Sequence, residues 1–155
     1  MFKKMISMVL TVATVLSCSL VSSFATDTEK VYTFGDIEII ITETNGVQTR
    51  ASASGSGVAS PVAGHSFKLR NGEGNDCFVS VDNTDDEADM EVVFEFHVNG
   101  ENITVDPYFV EAGLGCNASV SSKSGADLVG SIEITVTADG ADSVSYDYFA
   151  SQYDK

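Results

Sequence analysis

In 155 residues the chain has no tryptophan, two prolines, two histidines and three cysteines, and it sets only 8 cationic side chains against 23 acidic ones. The formal net charge of −15 argues against nucleic acid and anionic membrane surfaces as partners, because both attract the opposite sign. Such a charge draws cationic partners or calcium, and it keeps a chain soluble. Without Trp, the chain lacks the buried indole that some sandwich cores use and the broadest face for stacking a sugar. The absence of Cys-x-x-Cys leaves neither a redox dithiol nor a zinc knuckle, and no serine sits in a Gly-x-Ser-x-Gly elbow. His65 and His97 stand in no recognised metal-ligand spacing. No segment has helical period, which leaves an all-β reading.

What is present begins with a leader. Lys3 and Lys4 precede an apolar run from Met5 to Val21, and Ser23-Phe24-Ala25 supplies small residues at the positions signal peptidase requires. Residues 1–25 are read as a secretory signal peptide cut between Ala25 and Thr26, and the mature protein as secreted and extracellular. Val15-Leu16-Ser17-Cys18 is similar to a bacterial lipobox. It implies an alternative in which a lipidated Cys18 anchors the protein to a membrane.

Cleavage removes Cys18 and leaves Cys77 and Cys116 as an even pair in an oxidising compartment, where disulfides persist. Both occupy core-facing positions of alternating runs. The expectation is a bridge that closes a loop of about 40 residues and stabilises the fold by about 4 kcal/mol.

The rest of the chain reads as strands. Val31-Tyr32-Thr33-Phe34 and Ile37 to Thr42 flank Gly35-Asp36, and Asn45-Gly46 before Val47-Gln48-Thr49 signals a tight hairpin. Residues 26–50 therefore form a short β-meander. Residues 51–64 are rich in Ala, Ser and Gly, carry Pro61 and read as a flexible linker. From residue 65 to 155, short strands recur. Cys77, Val79 and Val81 share one face, as do Val92, Phe94, Phe96 and Val98, then Ile132, Ile134 and Val136, then Val144, Tyr146 and Tyr148. Asn99-Gly100, Asp106-Pro107, Gly113 to Gly115 and Asp139-Gly140 mark the turns between them. The spacing predicts an antiparallel, immunoglobulin-like β-sandwich, and the layout resembles the generic β-sandwich modules of secreted bacterial proteins.

Four motifs bear on chemistry. Asn71 to Val79 fits most of a β-roll calcium nonapeptide, but in a single copy, whereas a β-roll builds each site between stacked repeats; it reads as a Gly-rich connector. Asp82, Asp85, Asp86 and Asp89 concentrate oxygen ligands in one loop, but Glu87 and Val93 stand where an EF-hand needs Gly and a bidentate Glu. These four are the candidate calcium ligands; otherwise no cofactor is implied. Asn102-Ile103-Thr104 and Asn117-Ala118-Ser119 fit the glycosylation sequon. Tyr146, Tyr148, Phe149 and Tyr153 offer an aromatic platform, with core packing as the competing role. Glu91 and Glu95 project from the solvent-facing positions of one strand, where no cleft is implied. With no catalytic constellation, the sequence predicts a noncatalytic extracellular binding or structural module, with an unknown extracellular partner held by loops at one end of the sandwich. The alternative is a calcium-stabilised secreted domain with hydrolytic activity.

Overall fold

A computed structural model describes residues 29–44 and 53–155. The leader, the Asn45-Gly46 turn and the strand expected at Val47 to Thr49 lie outside the described residues. Those that are described form no helix and eleven strands: β1 Glu29–Phe34, β2 Ile37–Thr44, β3 Ala53–Ala59, β4 Val62–Leu69, β5 Asp76–Asn83, β6 Asp89–Val98, β7 Glu101–Thr104, β8 Tyr108–Val110, β9 Gly115–Ser122, β10 Gly130–Asp139 and β11 Val144–Tyr153.

They make two antiparallel sheets. The first has the order β1-β2-β9-β5-β11-β3, and the second β4-β10-β6-β7, with β8 also paired to β6. Alternation decides which face of each strand turns inward. Met90, Val92, Phe94, Phe96 and Val98 of β6 are fully buried, and their register partners Ala138, Val136, Ile134 and Ile132 on β10 extend the same inner face. Across the core, Cys77, Val79 and Val81 of β5 face Val120, Ala118 and Cys116 of β9, and Ile37, Ile39 and Ile41 of β2 continue this layer. A β-branched, period-2 sequence buries one face in this way because successive side chains point to opposite sides of the sheet.

The N-terminal meander joins the main fold: β2 pairs with β9 over its whole length, from Ile37↔Ser122 to Thr44↔Gly115. Asp36, in the β1–β2 turn, fixes that junction. Its carboxylate accepts from Ser122 Oγ at 2.7 Å, Ser124 N at 2.7 Å and Ser124 Oγ at 2.6 Å.

The tract expected to be a linker carries two strands from Ala53 onward. Strand β3 pairs with β11 from Ala53↔Ala150 to Ala59↔Val144, and β4 pairs with β10 from Val62↔Thr137 to Leu69↔Gly130. The chain changes sheet between them at Ser60-Pro61. Here the partner, rather than local propensity, makes the strand: the backbone of Ala53–Ala59 is extended because β11 offers it a ladder.

The expected Cys77–Cys116 bridge does not form, and both cysteines are free and buried. Their inward direction matches the sequence reading, with Cys77 1% and Cys116 0% exposed. Their register does not. Cys77 lies opposite Val120 while Cys116 lies opposite Val81, so the two sit four residues apart along one ladder, about 14 Å at a strand rise of about 3.4 Å per residue. A bridge tolerates Cα atoms no more than about 7 Å apart. Burial also keeps the thiols protonated and inert. Desolvation, with Asp76 adding to it, pushes Cys77 up to about 12, and burial with Asp82 nearby raises Cys116 further.

Candidate functional site at the open edge

The sandwich closes differently at its two edges. Where β3 ends the first sheet, its inward positions carry the small residues Ala53, Gly55 and Gly57, and β4 opposite it begins with inward Ala63. They cannot fill the gap between layers, and larger neighbours lean into it. Tyr146 and Tyr148 of β11 stand opposite Gly57 and Gly55, and their rings lie over the glycine backbone. A Cβ at Gly57 would meet Tyr146 Cζ at 2.6 Å, and one at Gly55 would meet Tyr148 Oη at 2.7 Å. Only glycine permits this approach.

From the other sheet His65 of β4 meets both rings. Its Nε2 is 2.7 Å from Tyr146 Oη, and its ring stacks on Tyr148 at 3.9 Å between centroids with 28° between planes. Tyr146 is buried and His65 half-buried. Desolvation lowers the His65 pKa from its ordinary value and raises that of Tyr146, with the neighbouring Tyr148 adding to the second shift. Both groups are held neutral, which suits a hydrogen bond between them.

Beside this cluster lie two adjoining cavities. The smaller, about 120 Å³, is lined by His65, Phe67, Ile134, Tyr148 and Ala150 with Ala53 and Ser66. Ala53, Ser66 and Phe67 also line the larger, an open cleft of about 620 Å³ that continues to Lys68, Arg70, Glu73 and Gln152. One end is therefore aromatic and the other cationic. Gln152 is buried, and its amide is fully used in shaping the floor: Oε1 accepts from Arg70 N at 2.9 Å, and Nε2 donates to the carbonyls of Arg70 at 3.1 Å, Gly74 at 2.9 Å and Leu128 at 2.8 Å. Arg70 pairs with Glu73 at 3.5 Å in a solvent-exposed contact, the kind that contributes little energy and exchanges readily.

The four carboxylates expected to bind calcium do not gather into one ligand set among the described residues. Asp82 is buried on β5 and accepts from Ser80 Oγ at 3.1 Å; burial raises its pKa. Asp85 is spent on the backbone. Its Oδ1 accepts from Glu87 N and Ala88 N at 3.1 and 3.0 Å, and its Oδ2 from Ser145 N at 3.4 Å; these bonds hold its pKa low. Asp89 accepts from Ala112 N at 2.9 Å, and Asp86 points to solvent. This loop is organised by its own N–H groups, an Asx-type arrangement. Among the described residues one group of potential metal ligands does assemble elsewhere: Glu95, His97 and Glu133, on the outer face of the second sheet.

Of the sequons, Asn117 is buried with Oδ1 unpartnered, and Asn102 Oδ1 is bonded to a histidine at 2.6 Å. The nonapeptide-like segment is the β4–β5 connection and the start of β5. In the aromatic platform, Tyr146 and Tyr148 point inward, while Phe149 packs edge-on against Phe78 at 5.9 Å. Sequence reasoning placed the two tyrosines on the core face but missed Phe67, Lys68 and Arg70 as lining of a cleft. The glycines at alternate positions opposite two aromatics were the available signal. No protein-family model matches the chain, and no curated protein matches it.

Proposed function

We propose that the protein is a secreted, noncatalytic binding module that takes an organic anion with a flat ring face into the cleft at the β3/β4 edge. The carrying observation is that an aromatic pocket, lined by Phe67, His65 and Tyr148, adjoins a cleft lined by Lys68 and Arg70, the two sharing Ala53, Ser66 and Phe67. In a chain of net charge −15, two adjacent cations define the one part of this groove where a negative group is favoured, and aromatic faces supply stacking area beside it. The combined size lies in the range that holds a small molecule. Binding without turnover is the reading favoured by the way the polar groups are spent: His65 on Tyr146, Gln152 on three backbone carbonyls and Glu73 on Arg70. This moves the proposed working surface from the end loops to the edge.

The secreted location rests on the leader at residues 1–25. The immunoglobulin-like topology stays a looser comparison, since β10 and β11 occupy different sheets, whereas the last two strands of that pattern share one.

An affinity series tests the proposal. Aromatic carboxylates such as 4-hydroxybenzoate should bind saturably, while the matched neutral amides bind weakly. Lys68→Glu with Arg70→Glu should abolish binding of the carboxylate with folding unchanged, because both side chains are exposed. Equal binding of acid and amide, or no effect of the charge reversal, would overturn it.

A further inference from the structure

We propose that Glu95, His97 and Glu133 bind one divalent transition-metal ion of the zinc class on the outer face of the second sheet. Glu95 and His97 alternate with the buried Phe94, Phe96 and Val98 on β6, and the β6–β10 register places Glu133 directly opposite Glu95 and Ser131 opposite His97. One potential ligand atom from each of the three lies within 4.8 Å of the others. Bonds of about 2.1 Å to a tetrahedral ion would place such atoms about 3.4 Å apart. Small rotations of two flexible glutamates close that difference. The strands beneath are fixed by the core, so the ligand-bearing backbone is rigid.

Two further observations point to a cation. The first is the direct cross-strand opposition of Glu95 and Glu133, an arrangement that destabilises a sheet when left uncompensated. Among the described residues the ion pairs are Arg70–Glu73, Lys123–Glu38 and Lys155–Asp76; none includes either glutamate, and Lys68, diagonal to Glu133 across the β4–β10 ladder, forms none of them. The second is the tautomer of His97. Its Nδ1 lies 2.6 Å from Asn102 Oδ1, on the neighbouring strand β7. A carbonyl oxygen only accepts, so Nδ1 carries the proton and donates, and the lone pair resides on Nε2. An outer partner that fixes the other ring nitrogen in this way is the usual support of a metal-bound imidazole.

The donor set selects the ion. Calcium and magnesium take oxygen ligands, calcium six to eight of them. One imidazole with two carboxylates suits a borderline cation such as Zn²⁺, and three protein ligands leave room for water to complete the shell. This site shares no residue with the edge cleft but adjoins it, since Glu133 lies opposite Ser66 and Ser131 opposite Lys68 in the β4–β10 register.

The test is a zinc titration of metal-stripped protein against a chromophoric chelator, with calcium as competitor. One zinc per chain should bind, and excess calcium should not displace it. His97→Ala, and separately Glu95→Gln with Glu133→Gln, should each weaken binding by at least about tenfold, the loss that even an outer-shell partner of a metal ligand can cause. His65→Gln, which alters the only other histidine, should bind as the native chain does. Imidazole ¹⁵N shifts should show Nε2 of His97 taking the metal while Nδ1 stays protonated. Circular dichroism confirms that each variant is folded. Absence of saturable binding, undiminished binding by His97→Ala, or equal competition by calcium would overturn the proposal.

Discussion

The two edges of this sandwich end the same pair of sheets in opposite ways. At the β1/β8 edge the inward positions are large: Tyr32 and Tyr108 are both buried, and Lys30 Nζ stands 5.4 Å from the Tyr108 ring centroid. Burial, with the charge of Asp106 just before β8 adding to it, raises the Tyr32 pKa. On β3 of the opposite edge the corresponding positions are Ala53, Gly55 and Gly57, and the gap beside His65 and Phe67 of β4 becomes a cleft. Side-chain volume at a few inward edge positions thus decides whether a sandwich edge is a seal or a site. It follows that the seal should carry stability and the cleft should carry binding.

The largest expected effect comes from breaking the seal. Tyr32→Ala removes a buried ring, so urea unfolding should show a loss of about 3 kcal/mol or more. Tyr148→Ala, at the half-buried ring of the open edge, should cost less and should strip the cleft of its stacking face.

Filling the open edge comes next. Gly57→Ala drives a methyl against the ring of Tyr146, which is buried and bonded to His65; overpacking of this kind costs about 1–3 kcal/mol. Gly55→Ala meets the far end of Tyr148, which is half-buried and stacked on His65, whereas Tyr146 is fully buried. Its cost in unfolding experiments should be the smaller of the two. Equal losses would mean that the two rings are held alike.

The smallest effects are electrostatic, with opposite signs at two aspartates. Hydrogen bonds from Ser124 and Ser122 lower the pKa of Asp36. Its contribution is therefore present at neutral pH and lost as pH falls through the depressed value. Asp36→Asn should unfold at lower urea than the native chain at pH 7, with the difference vanishing in acid. Asp82 is raised, chiefly by burial, so the fold favours its protonated form. Stability falls as pH rises from the ordinary carboxylate range through that raised value. Asp82→Asn keeps an acceptor for Ser80 and should match or exceed the native midpoint at pH 7.

Much of the fold was legible in the sequence because alternation is a local signal. The inner faces of β5, β6, β10 and β11 follow directly from which residues are apolar. What was not legible depends on register. The inward direction of Cys77 and Cys116 could be read, but their four-residue offset is fixed only by how β5 slides against β9. Glu133 joins Glu95 and His97 through cross-strand pairing, with 35 residues between it and His97 in the sequence, and no spacing rule announces that. Strand β3 was unreadable for a related reason: Ala-Ser-Gly-Ser-Gly lacks strand propensity and becomes a strand through its ladder with β11. The open edge, and with it the candidate site, comes from that same low-propensity segment.

A methyl and aromatic NMR map of the chain titrated with 4-hydroxybenzoate shows directly which edge takes the ligand. Saturable shifts are expected at Phe67, Tyr148, Ala53 and Ala150 of the open edge, with Tyr32, Tyr108 and Val110 of the sealed edge unmoved. Shifts confined to the sealed edge or the end loops, or none at all, would contradict binding at the open edge.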